Sequence, residues 1–143
     1  MKRFKLQSVL DYRQILENQA QQRLAESLDA EAALIVAIEA EEKELQNLYV
    51  DLAKRQQEGI SLHDLTLYEN RISHKIEQLA LYADQLAELR QEIERRRHAL
   101  KEACQEKKLM EKLKEKHEEA EMLQLRRQEN ALLDEVAVLF HGR

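Results

Sequence analysis

The stretch that decides the fold is LTLYENRISHKIEQLALYADQLAELRQEIERRRHAL, residues 65–100. Leu65, Ile72, Leu79, Leu86, Ile93 and Leu100 recur in it at intervals of seven. A heptad held this long predicts a left-handed coiled-coil seam, because one apolar row then stays turned toward a partner helix. Ile76 and Ala83 are the expected complementary row. Tyr68, Tyr82, Leu89 and Met110 broaden the stripe on one flank.

Upstream, a weaker stripe runs through Leu24, Leu28, Ile35, Ile38, Leu45, Tyr49 and Leu52, with steps of three, four or seven. The same register places Gln14, Glu17, Gln21, Glu31 and Glu42 in the seam, so this arm is less regular. Between the arms lies Gln57-Glu58-Gly59-Ile60-Ser61. Gly59 suits the left-handed position just past a helix end. Ser61, with Asp64 three residues on, fits a helix N-cap with an acidic first turn. The reading is all-α: a helix over about 4–58, a turn over about 59–61 and a helix over about 62–140. Together they form a single coiled-coil domain over 1–143, a long antiparallel two-helix hairpin with a longer C-terminal helix. A continuous helix dimerising along its length is the rival, since one glycine costs only about 1 kcal/mol inside a helix.

Folding about Gly59 and Ile60 is expected to bring Leu6 and Leu10 near Leu113 and Leu109. Beyond roughly Lys114 the second arm then has no partner in the first. The excess of about 30 residues would span about 45 Å. Met122, Leu125, Leu132, Val136 and Leu139 share one face of it, with Leu133 and Phe140 beside them. A lone helix in water is marginal until such a face is packed. Leu132, Leu133, Val136, Leu139 and Phe140 are therefore the candidate partner-binding residues.

Composition agrees with long helices: no Pro, two Gly, no Trp and 36% charged residues. A net charge of −5 with both signs interspersed argues against nucleic acid, which needs a basic excess. The single cysteine, Cys104, has no internal partner and points to a reducing compartment. It is read as a packed thiol at the second seam position, seven residues on from Arg97. Asp11 and Arg13 interrupt the start of any signal peptide, and no run is apolar for long enough to span a membrane. A cytoplasmic protein with no direct membrane insertion is expected.

Signs of chemistry are sparse. The five histidines lack metal-ligand spacing and read as solvated. His117-Glu118-Glu119-Ala120-Glu121 has no second His where a zincin would place one. Two glycines cannot make a phosphate-binding loop. Paired carboxylates such as Glu41-Glu42 are solvated charges on a rod that offers no dry pocket. No enzyme, cofactor or metal is expected. Arg95-Arg96-Arg97 and the lysines after it interleave with glutamates, as on a salt-bridged helix face.

Three segments carry a resemblance. Phe4-Lys5-Leu6-Gln7-Ser8-Val9-Leu10-Asp11-Tyr12-Arg13 resembles the opening of the FliJ family of the flagellar type III export apparatus. The Glu/Lys-rich segment 102–116 and Leu133-Asp134-Glu135 are similar at the family's spacing. The resemblance implies an antiparallel coiled coil, similar to the central stalk of rotary ATPases, peripherally associated with the inner-membrane export apparatus. It implies three partners: the hexameric export ATPase, the cytoplasmic domain of the export-gate membrane protein, and export chaperones. It also implies a part in coupling ATP hydrolysis and the proton motive force to secretion. Relatives often carry an aromatic or aliphatic residue on the outer face early in the second helix, toward the gate. Here Arg71 and Lys75 follow in that region, which leaves Tyr68 as the large candidate outside the main seam. The equivalent stalk of a virulence secretion system and a self-associating coiled-coil scaffold are the alternatives.

Overall fold

A computed structural model describes residues 4–141. Two α-helices account for nearly all of them: α1, Gln7–Glu58, and α2, Leu62–His141, of 52 and 80 residues. α1 starts at Gln7 rather than at Phe4. The Gln7 amide donates to the Phe4 carbonyl at 3.1 Å, and the Leu10 amide donates to the Leu6 carbonyl at 3.0 Å. No proline interrupts either helix. Gly59 ends α1 with φ of +95°, a conformation that penalises any side chain. Ser61 then caps α2: its Oγ accepts from the Asp64 amide at 3.2 Å, and its carbonyl accepts from the Leu65 amide at 3.0 Å.

The chain divides into two compact units. Unit 2 is Gln22–His98, and unit 1 joins the residues up to Gln21 with those from Ala99 onward.

Within unit 2 the two helical segments run antiparallel on either side of Gly59. Lys75 bridges Glu41 at 3.0 Å and also Glu44. Arg90 bridges Glu31 at 3.3 Å, and the Arg96 guanidinium donates to the Arg23 carbonyl at 2.6 Å. As the number rises on one helix it falls on the other. The covered positions obey one heptad on each helix. On α2 the a-row is Leu65, Ile72, Leu79, Leu86 and Ile93, all buried or half-buried. Its d-row, three residues further on each time, is Tyr68, Lys75, Tyr82, Leu89 and Arg96, all half-buried. On α1 the a-row is Leu24, Glu31, Ile38, Leu45 and Leu52, and the d-row is Ser27, Leu34, Glu41 and Leu48.

This corrects the second row on both helices. Ile76 is 48% exposed and Ala83 is exposed, so the supposed flank of Tyr82 and Leu89 is the seam. Tyr68 belongs to that row too and does not lie outside it. On α2 the reason is apolar content, because the adopted row holds Tyr68, Tyr82 and Leu89 while the displaced row holds Glu69, Ala83, Arg90 and Arg97 around Ile76. On α1 the displaced residues are the larger ones: Leu28 is 37% and Tyr49 44% exposed, while Ser27 is 3% and Leu48 6% exposed. There the partner helix decides. Ser27 and Ile93, both 3% exposed, lie at one level between the Arg90–Glu31 and Arg96–Arg23 cross-links. A small residue on one helix makes room for a branched one on the other. The buried Ser27 hydroxyl donates to the Arg23 carbonyl at 3.2 Å, so its polarity is satisfied.

Unit 1 pairs its segments in the same antiparallel sense, with Arg13 to Glu106 at 2.6 Å and Lys107 to Glu17 at 3.3 Å. Leu10 is 8% exposed, but Leu109 is 62% exposed. The residue that turns inward is the half-buried Met110, again the neighbour of the expected one. Cys104 is half-buried beside the d-row residue Ala103. Pairing does not stop at Lys114. The Phe4 ring lies 5.4 Å from the His117 ring, tilted by 47°, so His117 is packed rather than solvated.

Candidate partner-binding surface

The side chains available to a partner follow from which heptad positions α2 leaves uncovered. In unit 1 the seam positions continue through Lys107, Met110, Lys114, His117 and Glu121, all half-buried. From Met122 to His141 every residue is exposed. At the same point the apolar stripe leaves the seam phase. Gln124 and Gln128 occupy the next seam positions, while the hydrocarbon moves to an adjacent face through Met122, Leu125, Leu132, Val136 and Leu139. On that face Leu132 is 61%, Val136 40% and Leu139 69% exposed; beside it Leu133 is 64% and Phe140 78% exposed. The face is thus no continuation of the intramolecular seam. Leaving it in water costs about 25 cal/mol per Å².

Five of the six sequence-derived site residues therefore share one exposed helical surface within unit 1. The sixth, Tyr68, is in unit 2 and half-buried, with the Arg55 guanidinium carbon 5.6 Å above its ring. That cation–π contact engages one face of the ring near the turn.

Electrostatics supply cross-links rather than a reactive centre. The hydrogen bond from Lys75 holds the Glu44 carboxyl below its ordinary range, and the bonds to Glu44 and Glu41 raise the Lys75 ammonium. Burial opposes the charge on Lys107, but the hydrogen bond and charge of Glu17, with Glu111, outweigh it and raise the pKa. His117 Nε2 is buried without a hydrogen-bond partner, 3.9 Å from a Glu121 oxygen. Arg96 also bonds Glu92 at 2.7 Å, and Arg97 bonds Glu94 at 3.4 Å, so these two members of the basic run are engaged. Among the described residues no group of three His, Cys, Asp or Glu is placed to hold a metal ion. No helix among them is long and apolar enough to cross a membrane. What the arrangement offers is apolar helix surface on a charged frame.

Sequence reasoning missed the second surface of this kind. The apolar stripe alone puts Leu28, Tyr49 and Ile76 in the seam, yet they lie open along unit 2. Spacing alone does not separate the two rows, since from Leu65 a step of three leads to Tyr68 and a step of four to Glu69, and a heptad admits both.

A family model described as the flagellar FliJ protein matches residues 1–143. No curated protein and no solved structure matches the chain. With a match over its whole length, the chain belongs to the FliJ family, non-enzymatic components of flagellar protein export.

Proposed function

We propose that this chain is the coiled-coil stalk of the flagellar export ATPase, and that its C-terminal helix seats in the ATPase ring. The observation that carries the reading is the uncovered apolar face of residues 122–141, next to a seam that has turned polar. On this reading the two helices act as one antiparallel coiled coil, the second helix is the longer, and its end is the plug. Five or more aliphatic and aromatic side chains supply the attraction, each worth about 1.5–3 kcal/mol when fully buried. Ring insertion satisfies a helix that its own chain leaves bare. The export gate and the export chaperones would meet the remaining length from the cytoplasmic side, at the inner membrane.

Co-purification with the export ATPase tests this. Truncation after Glu121, and separately Leu132→Glu with Val136→Glu, should weaken ring binding by at least about a hundredfold. Both should abolish stimulation of ATP hydrolysis while leaving the thermal melting of unit 2 unchanged. Ring binding that survives in both variants contradicts the proposal.

A further inference from the structure

The two edges of the unit 2 seam differ in chemistry. In an antiparallel pair, the positions just outside the two a-rows share one edge, and those just outside the two d-rows share the other. The cross-links agree: Arg90 reaches Glu31 on the first edge, and Lys75 reaches Glu44 on the second. The second edge is polar, with Arg23, Glu44, Asp51 and Arg71 along it. The first carries Leu28, Tyr49 and Ile76, which are 37%, 44% and 48% exposed, with half-buried Ile35 and exposed Ala83 at its middle.

Charge along this edge is ordered. On α2 it reads Glu69, Ile76, Ala83, Arg90, Arg97, each a heptad after the last. Acid stands two heptads to one side of Ala83 and base two heptads to the other. On α1 the acidic member, Glu42, also lies on the turn side of Ile35. A row whose charge reverses about its own midpoint is self-complementary under a two-fold axis, which an isologous interface requires. Laid antiparallel on itself, it sets Glu69 against Arg97 of the partner subunit and Ala83 against Ala83 of the partner subunit. Arg90 and Arg97 keep their bonds to Glu31 and Glu94, but their side chains are 59% and 56% exposed, so donors remain open.

We propose that unit 2 binds a second copy of this chain along this edge, as an antiparallel four-helix bundle with its two-fold axis beside Ile35 and Ala83. The surface is separate from the ring-binding helix. A strip of so few apolar side chains gives an association in roughly the micromolar range.

Sedimentation equilibrium of the full chain from about 1 to 200 µM should show a monomer–dimer equilibrium. Ala83→Arg places like charges at the axis without touching the seam; it should weaken the dimer at least about tenfold and leave the melting curve in place. Glu69→Arg and Arg97→Glu should each weaken it alone, and an equimolar mixture of the two should restore it, because each then meets its opposite. Truncation after Glu121 should dimerise like the full chain, so loss of ring binding and loss of pairing are separable. A single-chain mass throughout the range overturns the proposal. So does a mixture that fails to recover, or self-association that disappears with the truncation.

Discussion

Around Ile93, 3% exposed, and Leu48, 6% exposed, unit 2 keeps water out of its seam. The corresponding layers of unit 1 hold Glu17 and Lys107, joined at 3.3 Å, and Arg13 reaches across to Glu106. Leu10 is the one hydrophobic residue under 10% exposed among the described residues of unit 1. The seam of unit 2 also carries charge, at Glu31, Glu41, Lys75 and Arg96, but it sets buried Leu48, Ile72 and Ile93 among them, so the two units differ in their share of hydrocarbon layers. Hydrocarbon layers contribute net stability through burial. Part-buried ion pairs recover little beyond their own desolvation, and what they set is register. Unit 1 should accordingly open more readily than unit 2, as locally weaker segments do.

The largest effect that could break this contrast lies in unit 2. Ile93→Asp puts an unpaired carboxylate in the driest layer and should cost about 4 kcal/mol. Glu94→Lys, one residue away and exposed, should stay within about 0.5 kcal/mol. Thermal melts of the two variants check it, and equal midpoints would mean that the seam does not run through Ile93.

A smaller effect, opposite in sign, sharpens the contrast in unit 1. Glu17→Leu together with Lys107→Leu replaces a charged layer by an apolar one. Exchanging both partners of such a pair for hydrocarbon leaves nothing unpaired, so the double variant should unfold at a higher denaturant concentration than the native chain. Either single variant should lose stability, because it strands the other charge. Denaturant titration of the three proteins tests the cycle.

The smallest effect is that of pH on the Lys75 cluster. The folded state lowers Glu44 from 4.5 and raises Lys75 from 10.5. The Glu44 contribution is complete above about 4.5 and is lost as pH falls through its lowered pKa. The Lys75 contribution is complete below about 10.5 and is lost as pH rises through its raised pKa. The melting difference between the native chain and Lys75→Met should therefore be greatest near neutrality and shrink at pH 3. A difference that grows in acid would contradict this sign.

Legibility in the sequence followed the strength of each local constraint. Gly59, Ser61 and Asp64 are punctuation with a backbone cause, and the a-row from Leu65 to Leu100 repeats without a gap, so both could be read from residues alone. The d-row could not, because steps of three and four are both compatible with a heptad. Apolarity misleads on α1, where Leu28 and Tyr49 stay open while Ser27 is buried. Burial of a serine is set by what stands opposite, and one strand of sequence does not display that. The limit of cover past Lys114 depends on the Phe4 ring meeting His117, a contact between residues far apart in the chain. The bare apolar face after Glu121 was legible because five large side chains share it at helical spacing. A d-row set one position away leaves Tyr68 outside the seam, whereas the observed row includes it.

The contrast between covered and uncovered helix has one direct test, hydrogen exchange of the chain alone and with the export ATPase ring. Alone, amides around Leu48, Ile72 and Ile93 should exchange slowest, those of residues 7–21 faster, and those of 122–141 fastest. With the ring, protection should rise at 122–141 by at least about a hundredfold and change little around Ile93. Unchanged exchange at 122–141 in a ring-bound chain, or protection that appears only in unit 2, would contradict the account.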